Sequence, residues 1–189
     1  MRRYIYFVFL LCCAVNLLLT SCVRQKYVVM DMVHHNPGEA MTESKFLDPS
    51  FLKKNEYGAK VFFLFEAAQF GIDWKSFDPS LFPDTTEAGR WVAEKAEIIH
   101  KKYDAAKKED LQVYCMLDML VLPSLLVEKH RTELTNEQGK LDISKPYTQL
   151  CIRELMKEMF ETFPQLDGLV IRTGETYLHD APYYVGNHP

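Results

Sequence analysis

Four short runs of apolar residues recur along the chain, at 27–33, 61–65, 111–117 and 169–171. Each run is almost continuous, with few polar residues interrupting it. Runs of this kind are typical of strands that are covered on both faces, as in a parallel sheet. The pattern therefore predicts four buried, parallel strands.

The stretches between these runs have the periodicity of helices. Residues 48–54 predict a short first helix. Two longer helices each carry apolar residues at spacings of three or four, which places those residues on one helix face. The apolar face of the first long helix is Val92, Ala96, Ile99 and Tyr103, and that of the second is Ile152, Leu155, Met156, Met159, Phe160 and Phe163.

Polar residues and prolines predict where the long helices begin and end. Asp84 and Glu87 have the spacing of a capping box at the start of the first long helix. Ser144 is placed to cap the second, Pro146 suits its first turn, and Pro164 ends it. The predicted order is β-α-β-α-β-α-β, and each crossover is long enough to return the chain in the parallel direction.

Two architectures have this order: an open, doubly wound sheet and part of a (β/α) barrel. The first strand-to-helix junction, residues 34–39, contains no Gly-x-Gly-x-x-Gly turn, and this disfavours a nucleotide-binding sheet. Long segments follow the second and third strands at 70–74 and 122–145, where barrel enzymes build their sites. A complete barrel has eight strands in roughly 250 residues. We therefore predict an α/β domain of parallel (β/α) units, corresponding to the first four strands of a TIM barrel.

Residues 1–21 have the features of an export signal. Arg2 and Arg3 are basic, residues 4–19 are apolar except for Asn16, and Leu19-Thr20-Ser21-Cys22 follows. This ending resembles the bacterial lipobox. The resemblance implies that Cys22 carries lipid and that a domain at 22–189 is anchored to a membrane of the bacterial cell envelope, periplasmic or surface-exposed. The alternative is an uncleaved signal anchor that spans the membrane.

The net charge bears on the class of partner, and the cysteine positions bear on disulfide bonding. The chain has 22 basic and 26 acidic side chains, a net charge of −4 and no long basic block, so we expect no nucleic-acid partner. Cys115 and Cys151 both lie in apolar runs. They are expected to be buried free thiols, although an exported protein also permits a disulfide.

The segment 166–177 places Arg172, Glu175 and Tyr177 directly after the fourth predicted strand. Together with the lipobox and the β/α order, this segment resembles the bacterial TIM-barrel glycoside hydrolases. The resemblance implies that Glu175 is the catalytic acid/base, because in the large retaining clan that residue lies at the end of strand four. Two alternatives remain open for Glu175: binding substrate without catalysis, and a structural ion pair with Arg172.

Further polar and aromatic residues near the predicted strand ends are candidates for lining a carbohydrate pocket. Some have structural alternatives: Asp118 could cap the following turn, and Trp74, Phe70 and Tyr177 could belong to the core. The lysines at 101–102 and 107–108 are expected to form a solvated helix face. No metal or other cofactor is expected, because adjacent histidines rarely aim at one ion without other ligands. The substrate-binding candidates are His34, His35, Glu66, Trp74, Asp118, Arg172 and Tyr177.

Two functional hypotheses follow. The first is an exported lipoprotein with a glycoside hydrolase-like domain, incomplete and therefore weakly active or inactive. The second is a non-catalytic glycan-binding or structural lipoprotein. In either case strands one and four would have unpaired edges, which favour pairing with another copy. A homodimer that restores an eight-stranded arrangement is one expected outcome, and aggregation or pairing with a different partner are the alternatives.

Overall fold

A parallel β-sheet forms the centre of the structure, a computed structural model that describes residues 30–31, 45–63, 66–172, 178 and 181–187. The described strands are β1 (Met30–Asp31), β2 (Ala59–Phe63), β3 (Gln112–Asp118), β4 (Val121–Pro123), β5 (Gly168–Arg172) and β6 (Tyr184–Gly186). Four of them form one sheet in the order β1-β2-β3-β5, and every neighbouring pair is parallel. The predicted α/β class is confirmed.

The strand order distinguishes between the two architectures that the sequence allowed. In a doubly wound sheet the order reverses at a switch point. In this sheet each strand instead lies beside the one that precedes it in the parallel series. Sequential addition of parallel strands is the arrangement of a (β/α) barrel. The barrel-like prediction is therefore confirmed for the described strands.

The two faces of the sheet have different surroundings. Phe62 and Cys115, which are paired in register, face the helix that crosses from β2 to β3: the Phe62 ring lies 4.7 Å from that of Tyr103. We call this side the helix face. Because side chains alternate along a strand, Met116 and Asp118 lie on the opposite side, which we call the inner face.

Five α-helices occur among the described residues. They are α1 (Pro49–Lys54), α2 (Glu87–Lys108), α3 (Ser124–Lys129), α4 (Arg131–Leu134) and α5 (Pro146–Thr162), with short 3-10 helices at Lys45–Leu47 and Ala68–Gly71. The three predicted helices correspond to α1, α2 and α5. Helices α3 and α4 were not predicted, and neither was the antiparallel pairing of β4 with β6.

The predicted cap of α2 is wrong. Thr86 is the N-cap residue, and its Oγ1 accepts a hydrogen bond from the backbone N–H of Gly89 at 3.0 Å. The carboxylate of Asp84 accepts instead from Lys75 at 3.1 Å. Thr86 is the cap because it directly precedes the first helical residue. From that position its short side chain reaches the third N–H of the helix.

The start of α5 also differs from the prediction. Lys145 is the N-cap and has no side-chain cap hydrogen bond. The Ser144 hydroxyl donates to Asp142 Oδ1 at 2.7 Å, which closes the turn before the helix. Pro146 occupies the first turn as predicted, where its missing N–H is of no consequence. The helix ends at Thr162, before Pro164.

Both cysteines are confirmed as buried free thiols. Burial raises the pKa of each thiol to about 11, so both are protonated at neutral pH. Cys115 also accepts a hydrogen bond from the backbone N–H of Ala68 at 3.3 Å, which fixes the segment after β2 against β3.

The predicted export signal and Cys22 lie outside the described residues. Within the part of the chain that the structure describes, no helix combines the length and the apolar composition needed to cross a membrane.

Candidate functional site

An Asp–Arg pair connects the carboxyl ends of two neighbouring strands. Asp118 is the last residue of β3 and lies opposite Arg172, the last residue of β5. Arg172 Nε donates to Asp118 Oδ1 at 2.7 Å, and Nη2 donates to Oδ2 at 2.7 Å. The guanidinium carbon lies 6.0 Å from the centre of the Phe63 ring at the end of β2. Three strand ends are thus brought together on the inner face.

Burial makes this pair rigid. The Asp118 residue is only 3% exposed, and a carboxylate removed from water is destabilising unless a cation compensates it. The two parallel hydrogen bonds also fix the plane of the guanidinium. The sequence interpretation considered Arg172 with Glu175 and missed its pairing with Asp118. Both residues end their strands, so aligning the strand ends would have suggested it.

Glu66 is directed away from this pair. Its carboxylate forms an ion pair with Lys102 of α2, and its backbone oxygen accepts from the Tyr103 hydroxyl at 2.9 Å. Because α2 covers the helix face, the structure does not bring Glu66 together with Asp118 on the inner face. A substrate-binding role for Glu66 stays a prediction, with its side chain on a different face from Asp118.

The predicted solvated face is confirmed for Lys101, Lys102 and Lys108, which are exposed, and Lys107 is half-buried. Lys101 is exposed and pairs with Glu97 along the helix. Lys102 instead holds the segment after β2, and Lys107 forms an ion pair with Asp167 just before β5. These two lysines attach α2 to opposite ends of the sheet.

Trp74 is not available for sugar stacking in this structure. Its relative exposure is 0%, and that of Phe70 is 3%. A platform for a sugar needs an accessible ring face, so the core alternative for these two aromatic residues is the one observed. The Phe70 ring packs edge-on against Tyr184 of β6, with 5.1 Å between ring centres.

Four candidate residues lie outside the described part of the chain: His34, His35, Glu175 and Tyr177. Their assignments stay predictions. Among the residues that are described, no group of three or more His, Cys, Asp or Glu side chains could hold a metal ion.

A groove of about 340 Å³ lies among the segments that follow β2, β3 and β5. We call it the loop groove. One side is the loop before α2, another is α3, and the third is the segment that enters β6. Its walls are far apart along the chain, so no local sequence pattern indicates it. The lining residues are Ser80, Leu81, Phe82, Pro83, Thr86, Ala88, Ser124, Leu125, Glu128, Pro182 and Tyr183.

A buried glutamate fixes the loop that leads to this groove. Glu158 of α5 is 5% exposed and accepts a hydrogen bond from the hydroxyl of Ser76. Burial raises the pKa of the Glu158 carboxyl, the Ser76 hydrogen bond lowers it, and the charge of Asp73 raises it. The net shift is upward, which favours the protonated form in the folded protein.

We expect Glu158→Gln to change how stability depends on pH. A carboxyl with a raised folded-state pKa stabilises fully below the ordinary glutamate pKa of about 4.3, and this contribution is lost as pH rises through the folded-state value. Glutamine keeps the oxygen that accepts from Ser76 but cannot ionise. Urea unfolding should therefore show that the free energy of unfolding of Glu158→Gln, relative to that of the wild type, is higher at pH 7.5 than at pH 4.5.

Glu161→Gln, an exposed position on the same helix, is the matched control. A stability difference between Glu158→Gln and the wild type that is identical at both pH values would contradict this account of the Glu158 carboxyl.

Comparison with known proteins gives a similarity to a solved structure and none to a protein family. No protein-family model matches the chain, and no curated protein matches its sequence. The chain is similar to a noncanonic maltogenic alpha-amylase AmyB from Thermotoga neapolitana, with a TM-score of 0.48 and 15% sequence identity. The similarity covers 82% of this chain and 41% of the amylase chain, so the chain spans less than half of that chain's length.

Proposed function

We propose that the protein is an exported lipoprotein that carries a carbohydrate-active, glycoside hydrolase-like domain. The observation that carries the proposal is the buried Asp118–Arg172 pair at the carboxyl ends of sequentially ordered parallel strands. Enzymes built from (β/α) units place their sites at this edge. Glu175 follows Arg172 by three residues, so the backbone leads directly from the pair to the proposed acid.

The Asp118–Arg172 pair suits a neighbouring catalytic acid electrostatically. Glycoside hydrolysis needs a carboxylic acid that keeps its proton until it protonates the leaving oxygen. An isolated guanidinium would lower the pKa of a nearby carboxyl. The carboxylate of Asp118 offsets that charge, so Arg172 can orient a ligand or Glu175 with less effect on its pKa. In this proposal Asp118 is a positioning residue, since it acts through Arg172.

Glycan binding without turnover is the second candidate function. The loop groove favours it, because Glu128 is the one carboxylate among the described residues that line it. Hydrolysis ordinarily uses two carboxyl groups. A groove with a single carboxylate and apolar walls is suited to holding a ligand and lacks the pair that would cleave it.

Hydrolysis of an oligosaccharide panel, measured as release of new reducing ends, tests the enzymatic proposal. We expect slow release from at least one neutral oligosaccharide, and a loss of about 100-fold or more in Glu175→Gln. Glu161→Gln is the control for a glutamate substitution outside the site. No release from any member of the panel would remove the enzymatic proposal and leave glycan binding as the alternative.

Replacing Cys22 with alanine is expected to abolish lipid attachment, because the proposed lipid-bearing atom is the Cys22 thiol. Metabolic labelling with a radioactive or clickable fatty acid, followed by membrane fractionation, measures this. The variant should lose all label and leave the lipid-anchored fraction. Cys13→Ala, within the apolar part of the signal, is the matched control and should keep its label. Persistent labelling of Cys22→Ala would contradict the lipobox interpretation.

A further inference from the structure

The loop groove has one rigid aromatic wall. Tyr183 packs against the ring of Trp91, with 5.8 Å between ring centres and 72° between ring planes. Its backbone oxygen accepts from the N–H of Ser124 at 2.8 Å, so the chain is fixed on both sides of the groove. Leu125, which is 39% exposed, and Pro182 add further apolar surface. A ligand with an apolar face would contact a surface that is already formed.

Two polar groups of the groove are available to a ligand. The Thr86 hydroxyl is already committed, since it donates to the backbone oxygen of Pro83 at 2.7 Å. The Ser80 hydroxyl donates to Asp78 at 2.5 Å. By contrast, the Glu128 carboxylate and the Ser124 hydroxyl make no hydrogen bond with any described residue. As far as the described residues show, the groove therefore offers a carboxylate acceptor and a hydroxyl to a ligand.

The Glu128 carboxylate disfavours an anionic ligand inside the groove, while Arg90 lies close enough to Tyr183 to act on its hydroxyl. The nearby lysines are neutralised: Lys129 pairs with Asp78 at 2.9 Å, and Lys75 pairs with Asp73 at 3.0 Å. The carboxylate of Glu128 is left without a cation among the described residues. A ligand that contacts this carboxylate must donate hydrogen bonds to it, and negative charge at that point is disfavoured.

Size and chemistry together favour a sugar ring. A volume of about 340 Å³ lies at the lower end of the roughly 300–1,000 Å³ typical of small-molecule sites. A neutral sugar combines hydroxyl donors with a face of C–H groups that packs on aromatic and aliphatic side chains. Organic cations are usually held by several aromatic faces, and Tyr183 is the only lining aromatic residue described here that is not fully buried.

We propose that the loop groove binds one neutral sugar ring of a glycan. The C–H face of the sugar packs on Tyr183 and Leu125, while its hydroxyl groups donate to Glu128 and exchange a hydrogen bond with Ser124. The inference rests on the carbohydrate ligand of the proposed function. It places recognition on residues that do not include the Asp118–Arg172 pair, so binding here does not require turnover.

The proposal is tested by titrating oligosaccharides into the full chain in detergent micelles and measuring binding by saturation-transfer NMR. The probes are maltotriose, cellotriose, xylotriose and mannotriose, with trigalacturonate as the anionic comparison. Leu125→Arg fills the groove and brings a cation to Glu128, one helical turn away, and Glu128→Ala removes the acceptor. Both positions are exposed, so neither change is expected to disturb folding. Ile143→Arg, at a 50% exposed position outside the groove, is the matched control.

At least one neutral trisaccharide should bind, with a dissociation constant that rises tenfold or more in Leu125→Arg and Glu128→Ala and is unchanged in Ile143→Arg. Equal affinity of wild type and both groove variants would overturn the proposal, as would binding of trigalacturonate alone or of no probe. The hydrolysis assay separates this inference from the enzymatic one. Binding that depends on the groove without any hydrolysis supports the groove proposal and removes the enzymatic one. Hydrolysis that is unaffected by the groove variants supports the enzymatic proposal and removes the groove proposal.

Discussion

Arg172→Ala is expected to lower the free energy of unfolding by about 3–5 kcal/mol, the cost of leaving a buried carboxylate without its cation. Both oxygens of Asp118 accept from this guanidinium, and the side chain of Asp118 is 5% exposed. Removing Asp118 should cost less, because the Arg172 side chain is 19% exposed and can regain some water. Urea unfolding of the two single variants and the double variant measures the coupling between them.

The matched comparison is the ion pair between Lys101 and Glu97, which has the same charges but lies on the solvent side of α2. Lys101→Ala should leave the unfolding midpoint almost unchanged, since exposed pairs contribute little. If Arg172→Ala were as mild as Lys101→Ala, the Asp118–Arg172 pair would not hold the strand ends together.

Gly89→Ala should lower the free energy of unfolding by about 2–3 kcal/mol through steric overlap. A Cβ atom at Gly89 would lie 2.1 Å from the backbone oxygen of Pro83 and 3.0 Å from that of Phe82. Alanine has the higher helix propensity by at most about 1 kcal/mol, which is too little to offset a clash with backbone. Because Pro83 lines the loop groove, the displaced loop should also weaken glycan binding.

Gly139→Ala serves as the comparison for a glycine substitution. Gly139 has nothing within 4 Å of an added Cβ, but its φ of +75° lies in the left-handed region. We expect a cost of about 1 kcal/mol there from backbone strain alone. Thermal or urea unfolding measures the loss in free energy of unfolding for each variant. A smaller loss for Gly89→Ala than for Gly139→Ala would contradict the close approach of α2 to its preceding loop.

The sheet could be predicted from the sequence because its strands are covered and almost wholly apolar. The second strand begins at Ala59, two residues before the start predicted from the apolar run, because its second residue is Lys60, whose ammonium donates to the backbone oxygen of Phe46 at 3.1 Å. A buried lysine at a strand start breaks the apolar pattern without breaking the strand. The long helices were found because their apolar faces extend over several turns.

The candidate site was harder to predict, because its geometry depends on contacts between distant segments. The pairing of β4 with β6 joins three-residue strands that are about sixty residues apart, and such short strands have no periodicity to detect. Asp118 could be recognised as unusual in an apolar run, but its partner depends on the register between β3 and β5. Trp74 illustrates the opposite error, since its residue type suggests a binding platform while its position after β2 buries it.

The central claim is that the carboxyl-end side of this sheet recognises carbohydrate. Incubating the full chain with a glycan array is the most direct test, with Leu125→Arg and Ile143→Arg measured in parallel. The account predicts retention of at least one class of neutral glycan by the wild type and by Ile143→Arg, and reduced retention by Leu125→Arg. Failure of the folded wild-type protein to retain any glycan would contradict it.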